Sequence, residues 1–453
     1  MATAPRQFDV IVLGAGAAGL LCAATAGLRG RCVALLEHNG QAGRKILISG
    51  GGRCNFTNLH CGPGNFISEN PHFAKSALAL YEPRHFIELV ERYGIRWHEK
   101  TLGQLFCDGP ARAILDMLLA ECERGGVEVV LNARGIQVEG GGGGGFRVMC
   151  SAGEFAAGAL VVATGGLSIP KLGATGLGYE LARQFGLGVV EPRPALVPLV
   201  LGGDEAGWTE LAGVAAEVVA WTEPAAEKGH HSSNISEKYA SGAKAHVHSA
   251  DSIIGVETPT CQSRPATRTS LSGSRGGAVG GVHFREKMLV THRGVSGPAV
   301  LQASSYWRQG DELVVDFAPD QAGGAGILGP LILTGARRDL AALKQALREA
   351  LPQRLAGFLA EAGAPAGWGN AALEACERRL HRWKLHPVGT EGFEKAEVTA
   401  GGVDTAGLQA RTMEAWTVPG LFFIGEAVDV TGQLGGFNFQ WAWASGVAAG
   451  RAV

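Results

Sequence analysis

The chain of 453 residues has no surplus of positive charge: 40 Lys and Arg stand against 42 Asp and Glu, for a formal charge of -2. That balance predicts no electrostatic footprint for a nucleic acid, so no nucleic-acid partner is expected. Charged residues are sparse altogether, at 18% of the chain, which is below the usual ~25%. The nine cysteines, at 22, 32, 54, 61, 107, 122, 150, 261 and 376, are odd in number and scattered, without metal-ligand spacing. They are read as reduced thiols, and no metal site is expected. A membrane partner is also missing. The uncharged stretch 10–28 has the length of a short span, but Asp9 interrupts its entry and it is rich in Gly and Ala. Without an export signal or a span, a cytoplasmic protein is expected.

What is present is apolar and rich in glycine: 46% hydrophobic residues and 69 glycines. The length suits about three domains' worth of material with a large core. Residues 8–58 organise the rest. Residues 8–13 form a short apolar run of the kind a buried parallel strand requires. Gly14, Gly16 and Gly19 follow as G-x-G-x-x-G, opening an Ala/Leu-rich helix over 17–28 that begins with Ala17 and Ala18. Gly14 permits the tight turn, Gly16 the close approach of a pyrophosphate, and Gly19 close helix–strand packing. A second strand over 32–36 ends in Glu37, followed by His38. That acid is placed to accept ribose hydroxyls and disfavours a 2'-phosphate, so FAD or NAD fits better than NADP.

Beyond Glu37, Arg44 and Lys45 precede Ser49, Gly50, Gly51, Gly52, Arg53, Cys54 and Asn55. This second polar loop stands where a plain dehydrogenase continues with a helix, and it suits a longer cofactor. The run GRKILISGGGRCNFTN resembles the bacterial FAD-dependent flavoprotein oxidoreductases that include a bile-acid enone reductase and an aminoacetone oxidase. The resemblance implies that Arg44, Lys45, Ser49, Gly50, Gly52, Arg53, Cys54 and Asn55 line FAD from adenosine phosphate towards flavin. It also implies that the backbone near Gly135 reaches the adenine. Further matches are SIPKLGATG at 168–176, THRGVSGP at 291–298 and TAGGV at 399–403, so the resemblance spans 8–222 and 284–450.

Along the chain, helical spacing is read over 73–93, 111–124, 178–185, 337–362 and 371–383. Strands are read over 127–131, 136–138, 146–150, 159–163, 196–201 and 421–424, with a glycine tip at 140–145. The strand 159–163 ends in Thr164 and Gly165, a turn that in two-dinucleotide-type flavoprotein folds passes beside the cofactor. Gly425 and Glu426 close the last strand, at the place where many flavoproteins keep an acid for the ribityl or phosphate region. Gly436, Asn438 and Gln440 open a helix whose positive end would face the flavin. A second glycine fingerprint at 324–329 is rejected, since no strand precedes it and Pro330 follows. Ser296 is placed to cap a helix with Pro298 in its first turn.

The expected fold is α/β: a Rossmann-like FAD-binding domain of glutathione-reductase type (1–195 and 396–453) with an inserted β-rich domain (196–336 and 384–395) and a small helical domain (337–383). Residues 223–281 read as a disordered insertion, and their histidines at 230, 231, 246 and 248 lack metal spacing. The expected function is FAD-dependent transfer of two electrons between a small organic substrate, with an activated double bond or an amine, and a nicotinamide donor or oxygen. His292 is the acid/base candidate, with a structural histidine as its alternative. Cys54 is read as a buried small residue rather than half of a redox pair. A flavin-binding regulatory protein and a tRNA-modifying flavoprotein are the rival readings. The oligomeric state is not readable.

Overall fold

A computed structural model describes residues 4–140, 144–224, 281–321, 326–333 and 337–453. The insertion apart from its edges, with its four histidines, lies outside the described residues, as do 141–143 of the glycine tip and Gly324.

The first sheet runs in the order Glu128–Val130, Val33–Leu36, Arg6–Leu13, Gly153–Val162, Phe146–Cys150, Gln137–Gly140. The first four strands pair in parallel; residues 10–13, 33–36 and 160–162 are buried, as apolar strands covered on both faces must be, while Glu128–Val130 at the edge is half-buried. Gly153–Val162 has a divided edge. Residues 153–157 pair antiparallel with Phe146–Cys150, while Leu160, Val161 and Val162 pair in parallel with Leu421–Phe423. A strand from near the end of the chain thereby enters the sheet one strand away from Arg6–Leu13.

Helix packing holds the two chain ends together. The helix Ala17–Leu28 lies against the C-terminal helix Phe437–Ala452. Gly446 lets the backbones touch: a Cβ there would stand 2.6 Å from the Ala18 carbonyl. Arg29 donates to the carbonyls of Gly450 and Val453 at 3.1 and 3.2 Å, satisfying the last turn. Both buried indoles of that helix are also satisfied. Trp441 donates to the Gly425 carbonyl at 2.9 Å, and Trp443 to the Phe56 carbonyl at 2.8 Å while stacking on Phe86.

The second sheet runs Trp383–Leu385, Glu312–Asp316, Ala215–Glu223, Phe284–Thr291, Gly294–Ser296, Leu199–Val200, Gly389–Thr390, with antiparallel pairing throughout. Its own apolar core includes Trp208, Phe317 and Leu343. The antiparallel pair Val189–Ala195 and Val398–Val403 joins the two sheets along the chain. Pro192 and Pro194 fall inside its first strand, where the register shifts between Val190 and Arg193, instead of ending it. The fold is therefore an α/β Rossmann-like FAD-binding fold with an inserted β-rich portion.

Several expected helices are split by prolines. Residues 73–93 form Lys75–Leu80 and Pro83–Arg92, and 337–362 form Leu340–Arg348 and Gln353–Ala362. The helix Pro298–Ser304 is capped by Gly297 at φ +86° and not by Ser296. Arg44–Gly52, read as a loop, starts helical and breaks at Ser49, Gly50 and Gly51.

Candidate functional site

One cleft of about 870 Å³ gathers residues from both chain ends, a volume within the range of cofactor pockets. Gly14, Gly16, Ala17, Ala18, Glu37, His38, Arg44, Lys45, Ser49, Gly50, Asn55, Gly135, Thr164, Gly165, Gly425, Glu426, Gly436 and Asn438 all line it.

The first glycines differ in what surrounds them. Gly14, at φ +104°, passes so close to the next strand that a Cβ would meet the Ala163 carbonyl oxygen at 2.6 Å. Gly19 packs on the Gly14 carbonyl and does not reach the cleft. Gly16 has open space where its Cβ would be, and as N-cap of Ala17–Leu28 it offers no side-chain cap. The first amides of that helix are therefore free for an anion.

Glu37 is buried, and much of its accepting capacity is already used. One oxygen accepts the Ala15 N–H at 2.8 Å, and the other accepts the backbone and side-chain N–H groups of Asn39, each at 2.9 Å. Since a carboxylate has about four lone-pair sites, one remains on the oxygen facing Ala15. The buried Thr164 Oγ1 and His38 Nε2 have no protein partner. Gly16's open flank, Glu37's spare acceptor and these two polar atoms fit the FAD that the fold implies.

Further in, Lys45 donates to Ser168 Oγ and to Glu426, each at 2.7 Å. The other Glu426 oxygen accepts Ser168 Oγ and the Thr399 N–H, both at 2.9 Å. Four separate segments meet at that carboxylate. At the far end, the helix Phe437–Ala452 begins without a side-chain cap after Gly436, which is left-handed at φ +94°. Asn438 clamps the neighbouring turn by exchanging two 2.8 Å hydrogen bonds with the Gly432 backbone.

Gly52, Arg53, Cys54, Gln440 and His292 do not line the cleft. The break at Ser49–Gly51 turns the chain so that Gly50 and Asn55 face the cavity while Cys54 points into the core, fully buried. Burial pushes the Cys54 thiol well up and the Cys107 thiol up to about 12. Gln440 is buried with both amide atoms engaged, accepting from Thr57 Oγ1 at 2.6 Å and donating to the Tyr81 carbonyl at 2.7 Å. Arg53 is exposed, and His292 is exposed in the turn between Phe284–Thr291 and Gly294–Ser296. The sequence reading missed Asn39, Gln104, Gln433, Leu434 and Phe439, all cleft-lining. Asn39 stands two residues past the Glu37 that it braces, a spacing that could have pointed to it.

Among the described residues no helix is long and apolar enough to cross a membrane, and no cluster of possible metal ligands occurs.

Residues 8–452 match the family model described as HI0933-like protein Rossmann domain. The chain is 41% identical to a ribosomal RNA dihydrouridine synthase of Escherichia coli, over 98% of each protein, and 38% identical to one of Haemophilus influenzae, also over 98% of each. It is 27% identical to a 3-dehydro-bile acid delta(4,6)-reductase of Clostridium scindens, again over 98% of each. The two ribosomal RNA enzymes overturn the expectations of a small-molecule substrate and of no nucleic-acid partner. The first rested on the family resemblance, the second on net charge, a sum over the chain that hides local surplus: residues 44–60 hold Arg44, Lys45 and Arg53 and no acid. The chain belongs to the HI0933-like family of FAD-dependent flavoprotein reductases.

Proposed function

We propose that this protein reduces uridine in ribosomal RNA to dihydrouridine. The observation that carries the reading is the 41% identity, spread over 98% of both chains, to an enzyme named for that reaction. Saturating the C5=C6 bond of uracil takes one hydride and one proton, and the bond is polarised by the C4 carbonyl. Bound in the cleft, reduced FAD supplies the hydride, with its electrons drawn from a nicotinamide donor.

The chain's own residues then have the following roles. Gly14, Gly16 and the amides of Ala17 and Ala18 hold the pyrophosphate, and Glu37 takes one ribose hydroxyl of the adenosine. Gly135 offers its backbone to the adenine. Lys45 and Glu426, braced by the buried Ser168, fix the middle of the cofactor, and the uncapped start of Phe437–Ala452 stabilises negative charge at the flavin end. His292, exposed outside the cleft, is assigned the proton. The domain limits follow the strand pair Val189–Ala195 and Val398–Val403, with the helical module at 337–383. A ribosomal RNA substrate is consistent with a cytoplasmic enzyme.

The test is anaerobic stopped-flow spectroscopy of the holoprotein. NADPH or NADH should bleach the flavin band, and unmodified ribosomal RNA transcribed in vitro should restore it. Reduced flavin that persists in the presence of the RNA overturns the reading. His292→Gln should slow only the RNA-dependent step; two unchanged rates remove His292 from the chemistry.

A further inference from the structure

We propose that Leu102 is a wedge that enters the RNA stack when the target uridine is swung out into the cleft. The inference rests on the RNA-reducing function above.

The hairpin between Trp97–Glu99 and Gln104–Cys107 turns at Thr101, Leu102 and Gly103. Leu102 sits at its tip in the left-handed region, φ +53°, with 59% of its surface exposed. A leucine gains nothing from either condition. Left-handed backbone favours glycine or asparagine, and an exposed apolar side chain is left in water. Strain of this kind points to a function when the surroundings enforce it. Here they do: the buried Asn58 amide donates to the Leu102 carbonyl at 3.1 Å, and the Leu59 N–H donates to the Gly103 carbonyl at 2.8 Å.

The same brace ties the tip to the flavin end of the cleft. Asn58 Nδ2 also donates to the Gly435 carbonyl at 2.9 Å, and both Gly435 and Gln104, two residues beyond Leu102, line the cavity. Beside the tip, Leu59, tied to Gly103 through its N–H, is 44% exposed. Lys100 lies 5.2 Å over the ring of cleft-lining Phe106, with His98 stacked on that ring.

This combination fits RNA. A base stacked in a helix cannot enter a walled cleft and has to leave its neighbours first. An apolar side chain inserted between base steps fills the space left behind, while cations beside it hold the phosphates. Leu102 has the place and the chemistry for the first task, and Lys100, two residues before it, has the charge for the second.

The test uses the holoprotein, NADPH and unmodified ribosomal RNA transcribed in vitro, with Leu102→Gly and Leu102→Met. Glycine relieves the backbone, so Leu102→Gly should keep its FAD, its thermal stability and its rate of flavin reduction by NADPH. Its kcat for dihydrouridine formation should fall about tenfold or more, with KM for the RNA moving less than about twofold, because the lost step is extrusion and not docking. Leu102→Met should recover most of the rate. Leu102→Gly as fast as the parent, or a loss confined to KM, overturns the wedge while leaving the functional reading intact. A parent protein that makes no dihydrouridine overturns both.

Discussion

Lys45 and Glu426, 381 positions apart in the chain, form an ion pair at 2.7 Å across the cleft. The pair is partly shielded, with 33% and 20% of the side chains exposed. Glu426 also receives Ser168 and Thr399, so losing the lysine leaves a carboxylate in a site built for a cation. Lys45→Met is expected to weaken FAD binding about tenfold, or ~1.4 kcal/mol. Fluorescence titration of the apoprotein reads it. The double variant with Glu426→Gln should lose less than the sum of the two single changes.

Gly14 and Gly16 separate folding from cofactor binding. Gly14→Ala places a methyl 2.6 Å from the Ala163 carbonyl at φ +104°, so the apoprotein should lose about 2 kcal/mol or more of stability. Gly16 has an ordinary φ of -85° and open space. Gly16→Ala should melt like the parent as apoprotein and still bind FAD at least about tenfold more weakly. Equal FAD affinities for Gly16→Ala and the parent would remove the pyrophosphate from that turn.

Cys54 is expected to take no part in electron transfer. Its thiol is fully buried and burial raises its pKa, so it should resist a thiol reagent in the folded protein, whereas Cys32, the exposed one among the described cysteines, reacts before it. Cys54→Ala should leave flavin reduction and reoxidation within about twofold of the parent.

Asp429 predicts a pH dependence of stability. It is buried, and burial holds its carboxyl above the ordinary value near 3.8 despite a 2.8 Å hydrogen bond from the Glu69 N–H. The folded state therefore binds this proton more tightly than the unfolded chain. Its contribution is fully present below the unfolded value and is lost as pH rises through the raised folded one. Relative to Asp429→Asn, the parent should gain Tm on going from neutral pH into the carboxylate range. Parallel Tm curves for the two proteins would contradict this.

The parts of the site that could be read from sequence are those governed by backbone rules. Gly14, Gly16 and Gly19 do what a strand-to-helix turn demands, and Leu421–Phe423 enters the sheet where a last parallel strand belongs. Motif membership did not reveal which wall a side chain faces. Within residues 49–55, Gly50 and Asn55 meet the cavity while Cys54 turns inward, because left-handed glycines reverse the chain between them. Gln440 looked like a flavin contact because it follows Asn438, but two residues of helix rotate it onto Thr57 and Tyr81. The proposed RNA partner was hidden for a different reason. Docking depends on where charge and exposed apolar groups stand, and a net charge of -2 carries no such information.

The most direct test of the central claim is nucleoside mass spectrometry of ribosomal RNA, transcribed without modifications and incubated with the purified flavoprotein and NADPH. The account predicts dihydrouridine that appears with time and depends on both protein and donor. RNA left free of dihydrouridine, while the same flavin still cycles through a small conjugated enone, would contradict it.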